Sequence, residues 1–258
     1  MRKIQYVLLD PTGNRTILVE TSVPAGDQPR IAAKLMELEP TAEQVGFFSI
    51  NGGRTCLRMA GGEFCGNAAM SAAALTAMDQ GIADGTVYVT VAGTPAPVAV
   101  SVKQLSDGIL QGTVTMPQPF RISTETFPDG EAFPVVRFNG ICHVIVESPL
   151  SRGRAERIAP EWCRYLNMDA LGIMLFDRES QMLSPLVYVT EPETLFWEHS
   201  CASGTTAVGA FLAAQEGSVS ASLKQPGGTL HIETDKDGSL RLTGTVRLLG
   251  RHIANIAD

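Results

Sequence analysis

The chain has 258 residues, 44% of them hydrophobic and 18% charged, which suits one large domain or two modest ones and argues against disorder. A net charge of −7 and an aromatic content of 6% speak against a nucleic-acid or anionic-membrane partner. No apolar run approaches the ~18 residues of a membrane-spanning helix.

The first apolar run, residues 6–9, is too short for a signal segment and is soon broken by Pro11 and Gly13, so the expected location is cytoplasmic. A strand is expected at 17–19, a helix at 31–38, and a strand at 47–50. Residues 67–80 form the first of two Ala-rich, lightly charged helices. Helices without a charged face are normally buried. Strands follow at 87–91 and 98–102, then Asp107-Gly108 and a strand at 112–116. Further strands are expected at 135–136, 144–146 and 185–189, with a helix at 155–166 led in by Ser151. The second apolar helix covers 203–216. After it come a strand at 229–233, Asp237-Gly238 and a strand at 240–246. The order of helix, strand, Asp-Gly and strand thus occurs twice, about half the chain apart. Two pseudo-symmetric lobes are expected, with the changeover near residues 117–119 and a sheet wrapped about each buried helix.

Five cysteines, with no CxxC pair, form neither a disulfide framework nor a zinc site, and no His/Cys/Asp spacing suggests a metal. Cys65 and Cys201 each stand where loop becomes buried helix. There the first backbone N–H groups lack intrahelical acceptors and the helix dipole is positive. A thiol in that position is expected to fall below its ordinary pKa of about 8.5, and the amides beside it can bind a carboxylate. Small neighbours, Gly66, Ala202, Ser203 and Gly204, let a ligand approach the backbone. Two such helix starts facing one another would frame an α-amino acid by its carboxylate. One thiolate could then remove the α-proton while the opposite thiol protonates the other face. That chemistry requires no cofactor. Cys56, Cys142 and Cys163 read as packed small hydrophobes, and His143 as a packed strand residue.

At these residues the chain resembles the cofactor-independent racemases of the diaminopimelate-epimerase fold. The motifs are Cys65-Gly66-Asn67 and Cys201-Ala202-Ser203-Gly204, with Gly13-Asn14 and Glu43-Gln44 upstream. It is similar in more detail to the histidine racemases of staphylopine-type metallophore biosynthesis. The shared stretches include Pro11-Thr12-Gly13-Asn14, Glu43-Gln44-Val45-Gly46-Phe47, Trp197-Glu198-His199-Ser200-Cys201 and Gln225-Pro226-Gly227-Gly228.

The resemblance implies an α+β fold of two lobes, each a strongly curved, mostly antiparallel sheet around a buried helix. The lobes would span 1–118, completed by 247–258, and 119–246, with the active site in the cleft between them. It implies Cys65 and Cys201 as the two bases. Gly66, Asn67, Ala202 and Ser203, with Gly204 beside them, would hold the carboxylate through backbone N–H groups. Asn14 and Gln44 would line the pocket, and Glu43 and Glu198 would meet the ammonium or a basic side chain. Asn14 reads equally as a turn residue, and Glu198 as a favourable acid before a helix.

Diaminopimelate carries a distal carboxylate, which when buried needs a cation or several donors. Residues 179–200 contain no Arg or Lys but hold Glu191, Glu193 and Glu198. This stretch disfavours diaminopimelate and suits a neutral or cationic side chain, and the resemblance makes histidine the leading substrate. Diaminopimelate, lysine, ornithine and arginine stay open as alternatives, as does a non-catalytic amino-acid-binding protein. The expected partner is a small amino acid, with no nucleic acid, no membrane and no metal. A homodimer is one assembly open to the chain.

Overall fold

The computed structural model describes residues 1–92, 94–191 and 193–256. The elements in chain order are β1 (Arg2–Pro11), β2 (Thr16–Val19), α1 (Gln28–Leu38), β3 (Gln44–Asn51), β4 (Arg54–Met59), α2 (Gly66–Gln80), β5 (Asp84–Val91), β6 (Val98–Ser106) and β7 (Ile109–Thr115). They continue with β8 (Arg121–Thr126), β9 (Ala132–Phe138), β10 (Ile141–Val146), α3 (Arg152–Tyr165), β11 (Ala170–Asp177), β12 (Met182–Val189), β13 (Thr194–Trp197), α4 (Ala202–Glu216), β14 (Ser220–Gln225), β15 (Gly228–Thr234) and β16 (Leu240–Ile256). Two compact units result. One is Met1–Thr115 with Thr243–Asp258, and the other is Met116–Leu242.

In the first unit the strands run β1-β2-β3-β4-β5-β6-β7-β16, and β16 pairs back onto β1, so this sheet closes on itself. The parallel pairs, β2 with β3 and β4 with β5, are those whose connections contain α1 and α2. Parallel neighbours need such a crossover. Helix α2 lies inside the closed sheet and every residue from Gly66 to Ala77 is buried. Its alanines explain how: small side chains all round let strands approach every face. Helix α1 instead has one apolar face, Ile31, Ala32 and Leu35, packed with Ile4, Ile17, Val45 and Phe47 on the outside.

The second unit repeats the pattern. Its strands run β15-β14-β12-β11-β10-β9-β8, with β13 on β12. The parallel pairs, β10 with β11 and β12 with β14, flank α3 and α4 in the same way. Ser151 caps α3, accepting from the Arg154 N–H at 3.3 Å, and Trp162 stacks on Phe127 at 4.0 Å. Helix α4 is buried over most of its length and presses so closely on β15 that a Cβ at Gly209 would lie 2.5 Å from Ile232 Cγ1. The Asp107-Gly108 and Asp237-Gly238 turns hold their glycines at positive φ, 67° at Gly108 and 82° at Gly238, where a side chain would be strained.

Strands β1, β4, β8, β11, β13 and β14 are not among the expected ones. β4 alternates outward Arg54, Cys56 and Arg58 with buried Thr55, Leu57 and Met59, a mixed pattern, whereas β11 is a continuous apolar run with helices packed against it. Among the described residues no helix is long and apolar enough to cross a membrane.

His143 sits on β10, fully buried, with neither ring nitrogen hydrogen-bonded. Gly172, its register partner on β11, makes room, since a Cβ there would strike the ring. Burial keeps the ring neutral, its pKa lowered from 6.5 to about 3. The unfolded chain thus takes up a proton near pH 6.5 that the folded chain refuses until much lower pH. Stability is complete above about pH 6.5 and falls as pH drops below it. Between pH 8 and pH 5 this one group should remove about 2 kcal/mol. Urea unfolding at both pH values should show that loss in the native chain, and His143→Leu should cancel it. An unchanged pH slope in the variant would contradict the assignment.

Candidate active site

Each unit presents one cysteine as the N-cap residue of its buried helix, in extended backbone. The amides that follow, beginning at Gly66 and Ala202, belong to the first turn, which a helix leaves outside its own ladder. Gly66, Asn67, Ala202 and Gly204 are buried, and Ser203 is half-buried.

In the first unit, Cys65 ends a hydrogen-bonded chain that begins at a carboxylate. Asn14 Nδ2 donates to Glu43 Oε2 at 2.8 Å, Gln44 Nε2 donates to Asn14 Oδ1 at 2.7 Å, and Cys65 Sγ donates to Gln44 Oε1 at 3.0 Å. A carboxylate can only accept, so Glu43 fixes the orientation of the Asn14 amide and, through it, of Gln44. Thr16 Oγ1 accepts a second bond from Gln44 Nε2 at 2.7 Å. The sequence reading brought Asn14, Glu43, Gln44 and Cys65 to one site, and the structure brings these four side chains together. Thr16 is not among the expected site residues; it reaches Gln44 because the two are register partners on the parallel strands β2 and β3.

Asn14 is delivered there by an unusual turn. Thr12 and Gly13 both have positive φ, 54° and 91°. For a β-branched residue this is strained. The strain is held by the Thr12 N–H, which donates to Thr245 O at 2.9 Å, by the Thr245 N–H, which donates to Thr12 Oγ1 at 3.1 Å, and by Asp10 Oδ1, which accepts the Gly13 N–H at 2.5 Å.

In the second unit, β13 leads through Glu198, His199 and Ser200 to Cys201. Trp197 anchors the strand: its indole N–H donates to Glu156 Oε1 at 2.7 Å, and the Arg152 guanidinium lies 4.6 Å over its ring. The Gly204 N–H donates to Cys201 Sγ at 3.3 Å, and Ser203 Oγ lies 3.5 Å from the sulfur. Glu198 accepts a hydrogen bond from the thiol. Burial and then the Glu198 carboxylate push this thiol well above its ordinary range, against the smaller pull of Ser203 and the Gly204 N–H. The expectation of an acidified thiol is therefore corrected at Cys201. The helix start is there, but desolvation and an adjacent negative charge outweigh it. Glu191 and Glu193, grouped with Glu198 in the sequence, are exposed in the β12–β13 turn and take no part in the contacts around Cys201.

The other three cysteines are differently placed. Cys142 on β10 and Cys163 on α3 are buried in one core cluster, and Cys56 sits on β4. No group of His, Cys, Asp and Glu able to hold a metal occurs among the described residues.

The sequence pattern of the histidine racemase CntK N-terminal domain matches residues 3–251. A histidine racemase of Fusobacterium nucleatum subsp. nucleatum is 33% identical over 257 residues, covering 95% of this chain and 95% of its own length. A histidine racemase of Staphylococcus aureus is 29% identical over 248 residues, covering 90% and 89%. Among solved structures, a predicted epimerase from Pseudomonas aeruginosa superposes with a TM-score of 0.74 at 16% identity, over 98% of this chain and 100% of that one. That likeness concerns the fold: α+β, sheet-rich, with few helices. With a matching pattern spanning nearly its whole length and a relative one-third identical end to end, the chain belongs to the histidine racemase family.

Proposed function

We propose that the protein interconverts L- and D-histidine without a cofactor, using Cys65 and Cys201 as paired acid and base. The observation that carries this reading is that each cysteine caps a buried helix and is hydrogen-bonded to an acceptor of its own, the Gln44 amide oxygen for Cys65 and the Glu198 carboxylate for Cys201. In one direction Cys201, in its thiolate form, removes the α-proton while Cys65 is a thiol. A thiolate whose conjugate acid has a raised pKa is a stronger base toward carbon. The electron pair left on Cα spreads into the carboxylate, whose growing charge is met by the first-turn amides at Gly66, Asn67, Ala202 and Ser203. Cys65, held as a donor by Gln44, gives its proton to the opposite face. The two cysteines have then exchanged protonation states, and the reverse direction uses them in the opposite roles.

Asn14 and Gln44 orient the substrate, while Glu43 and Glu198 favour a cationic or neutral side chain over an anionic one. The five thiols suit a cytoplasmic enzyme, and the resemblance to staphylopine-type racemases supports metallophore assembly as the use of the D-histidine. Incubating the pure protein with a panel of L-amino acids in deuterium oxide tests the reading. Histidine should exchange its α-proton and racemise, with activity surviving EDTA and hydroxylamine. Exchange confined to other amino acids, or dependence on a metal or pyridoxal phosphate, would overturn it.

A further inference from the structure

Gln225 ends β14, 24 positions from Cys201 in sequence, and nothing in the mechanism above uses it. It is 5% exposed, and both ends of its amide are engaged. Its Oε1 accepts the Cys201 N–H at 2.8 Å, and its Nε2 donates to Thr205 Oγ1 at 2.8 Å. Thr205 Oγ1 in turn donates to the Cys201 carbonyl at 2.7 Å. Three hydrogen bonds thus close a ring through Cys201, Gln225 and Thr205, and the ring grips the N–H and the C=O of the cysteine together. Two residues on, the Gly227 N–H donates to the His199 carbonyl at 2.8 Å, so the turn after β14 holds the segment before α4 at a second point.

These bonds act on the direction of one side chain. Cys201 is the N-cap of α4, with φ −117° and ψ 109°. Holding its N–H and its C=O together fixes the placement of N, Cα and C, from which the Cα–Cβ vector follows. The ordinary device at an N-cap is a side chain that reaches forward into its own helix. Here the cysteine sulfur already accepts from Gly204, and a residue from another strand holds the backbone behind it.

We propose that Gln225 is a positioning residue for the Cys201 thiol, aiming its sulfur by locking the peptide groups on either side of Cys201 through Thr205. The proposal rests on the two-thiol reading. Its consequence is one-sided: loosening the ring misaims Cys201 and leaves Cys65, on a different helix with its own hydrogen-bonded chain, as it was.

The test is α-proton exchange into deuterium oxide, measured separately from L- and D-histidine. Cys201→Ala identifies the enantiomer that needs Cys201 as its base, because only that exchange disappears. Gln225→Met keeps length and bulk but neither accepts nor donates. It should lower kcat for racemisation about tenfold to a hundredfold with KM within about threefold, the scale expected when a reacting group is slightly misplaced. Exchange from the enantiomer identified by Cys201→Ala should fall with it, while exchange from the other is retained. Gln225→Glu keeps an acceptor for the Cys201 N–H but cannot donate to Thr205, and it adds a charge near the thiol. Its kcat at the optimum should lie above that of the Met variant and below the native value, with the pH profile displaced upward. It also carries the test if the Met variant does not fold.

Equal loss of exchange from both enantiomers, an unchanged kcat in the Met variant, or a Glu variant as impaired as a misfolded protein with no displaced profile would overturn the assignment. If Cys201→Ala still racemises histidine, the two-thiol reading itself fails and this assignment with it. If Cys201→Ala behaves as expected and the Gln225 variants do not, only the role of Gln225 is lost.

Discussion

Cys65→Ala and Cys201→Ala should each reduce histidine racemisation by about a thousandfold or more, the scale set by removing a positioned acid or base. Inversion needs one proton-transferring group on each face of Cα, so neither thiol can cover for the other. A residual activity is expected and is diagnostic. Each variant should still exchange the α-proton of the one enantiomer whose base it retains. Cys56→Ala, Cys142→Ala and Cys163→Ala should racemise at near-native rates. Cys142 is buried with its thiol pushed up to about 12 by desolvation, and Cys163 donates to the Met168 carbonyl at 3.1 Å, so both serve the core. The buried pair should show lowered melting temperatures on truncation, since removing even small buried groups leaves a void. Full racemase activity in either Cys65→Ala or Cys201→Ala would sink the two-thiol mechanism.

Histidine should be turned over at least about a thousandfold better, in kcat/KM, than LL-diaminopimelate on the same preparation. A distal carboxylate brought into a closed site without a cation costs on the order of several kcal/mol, which sets that ratio. Residues 179–200 supply no Arg or Lys, and the two carboxylates placed at the cysteines, Glu43 and Glu198, would repel a second anion. Glu43→Gln isolates the charge from the hydrogen bonding. The new carbonyl can still accept from Asn14 Nδ2, so the chain through Gln44 to Cys65 keeps its direction. Histidine turnover should nevertheless fall, with the melting temperature unchanged, because attraction for ammonium or imidazolium is lost. Equal kcat/KM for the two substrates, or a preference for diaminopimelate, would show that the side-chain pocket has been misjudged.

Much of this protein is written locally in its sequence. Helices α2 and α4 are legible because an Ala-rich segment with no charged face has only one stable location, inside a sheet. The doubled order of buried helix, strands and Asp-Gly turn is legible because glycine at positive φ and charge-free helices are properties of short windows. Cys65 and Cys201 stand out for the same reason: a thiol followed by small residues at a helix start is a local arrangement. Strands β4 and β14 are not legible in this way, since a buried position in each is polar, Thr55 in β4 and Gln225 in β14, and breaks the apolar alternation.

What tertiary structure alone decides is which groups surround each sulfur. Gln225 and Thr205 lie on different elements from one another and meet at Cys201 only because β14 runs parallel to β12 and returns beside the start of α4. Glu191, Glu193 and Glu198 are close in sequence, yet only Glu198 reaches Cys201, because the β12–β13 turn carries the other two into solvent. The direction in which the Cys201 thiol shifts is likewise a tertiary quantity. A helix N-terminus lowers a thiol's pKa through a few local dipoles, whereas desolvation depends on everything packed around the sulfur. Here the packing, with one carboxylate inside it, is the larger effect.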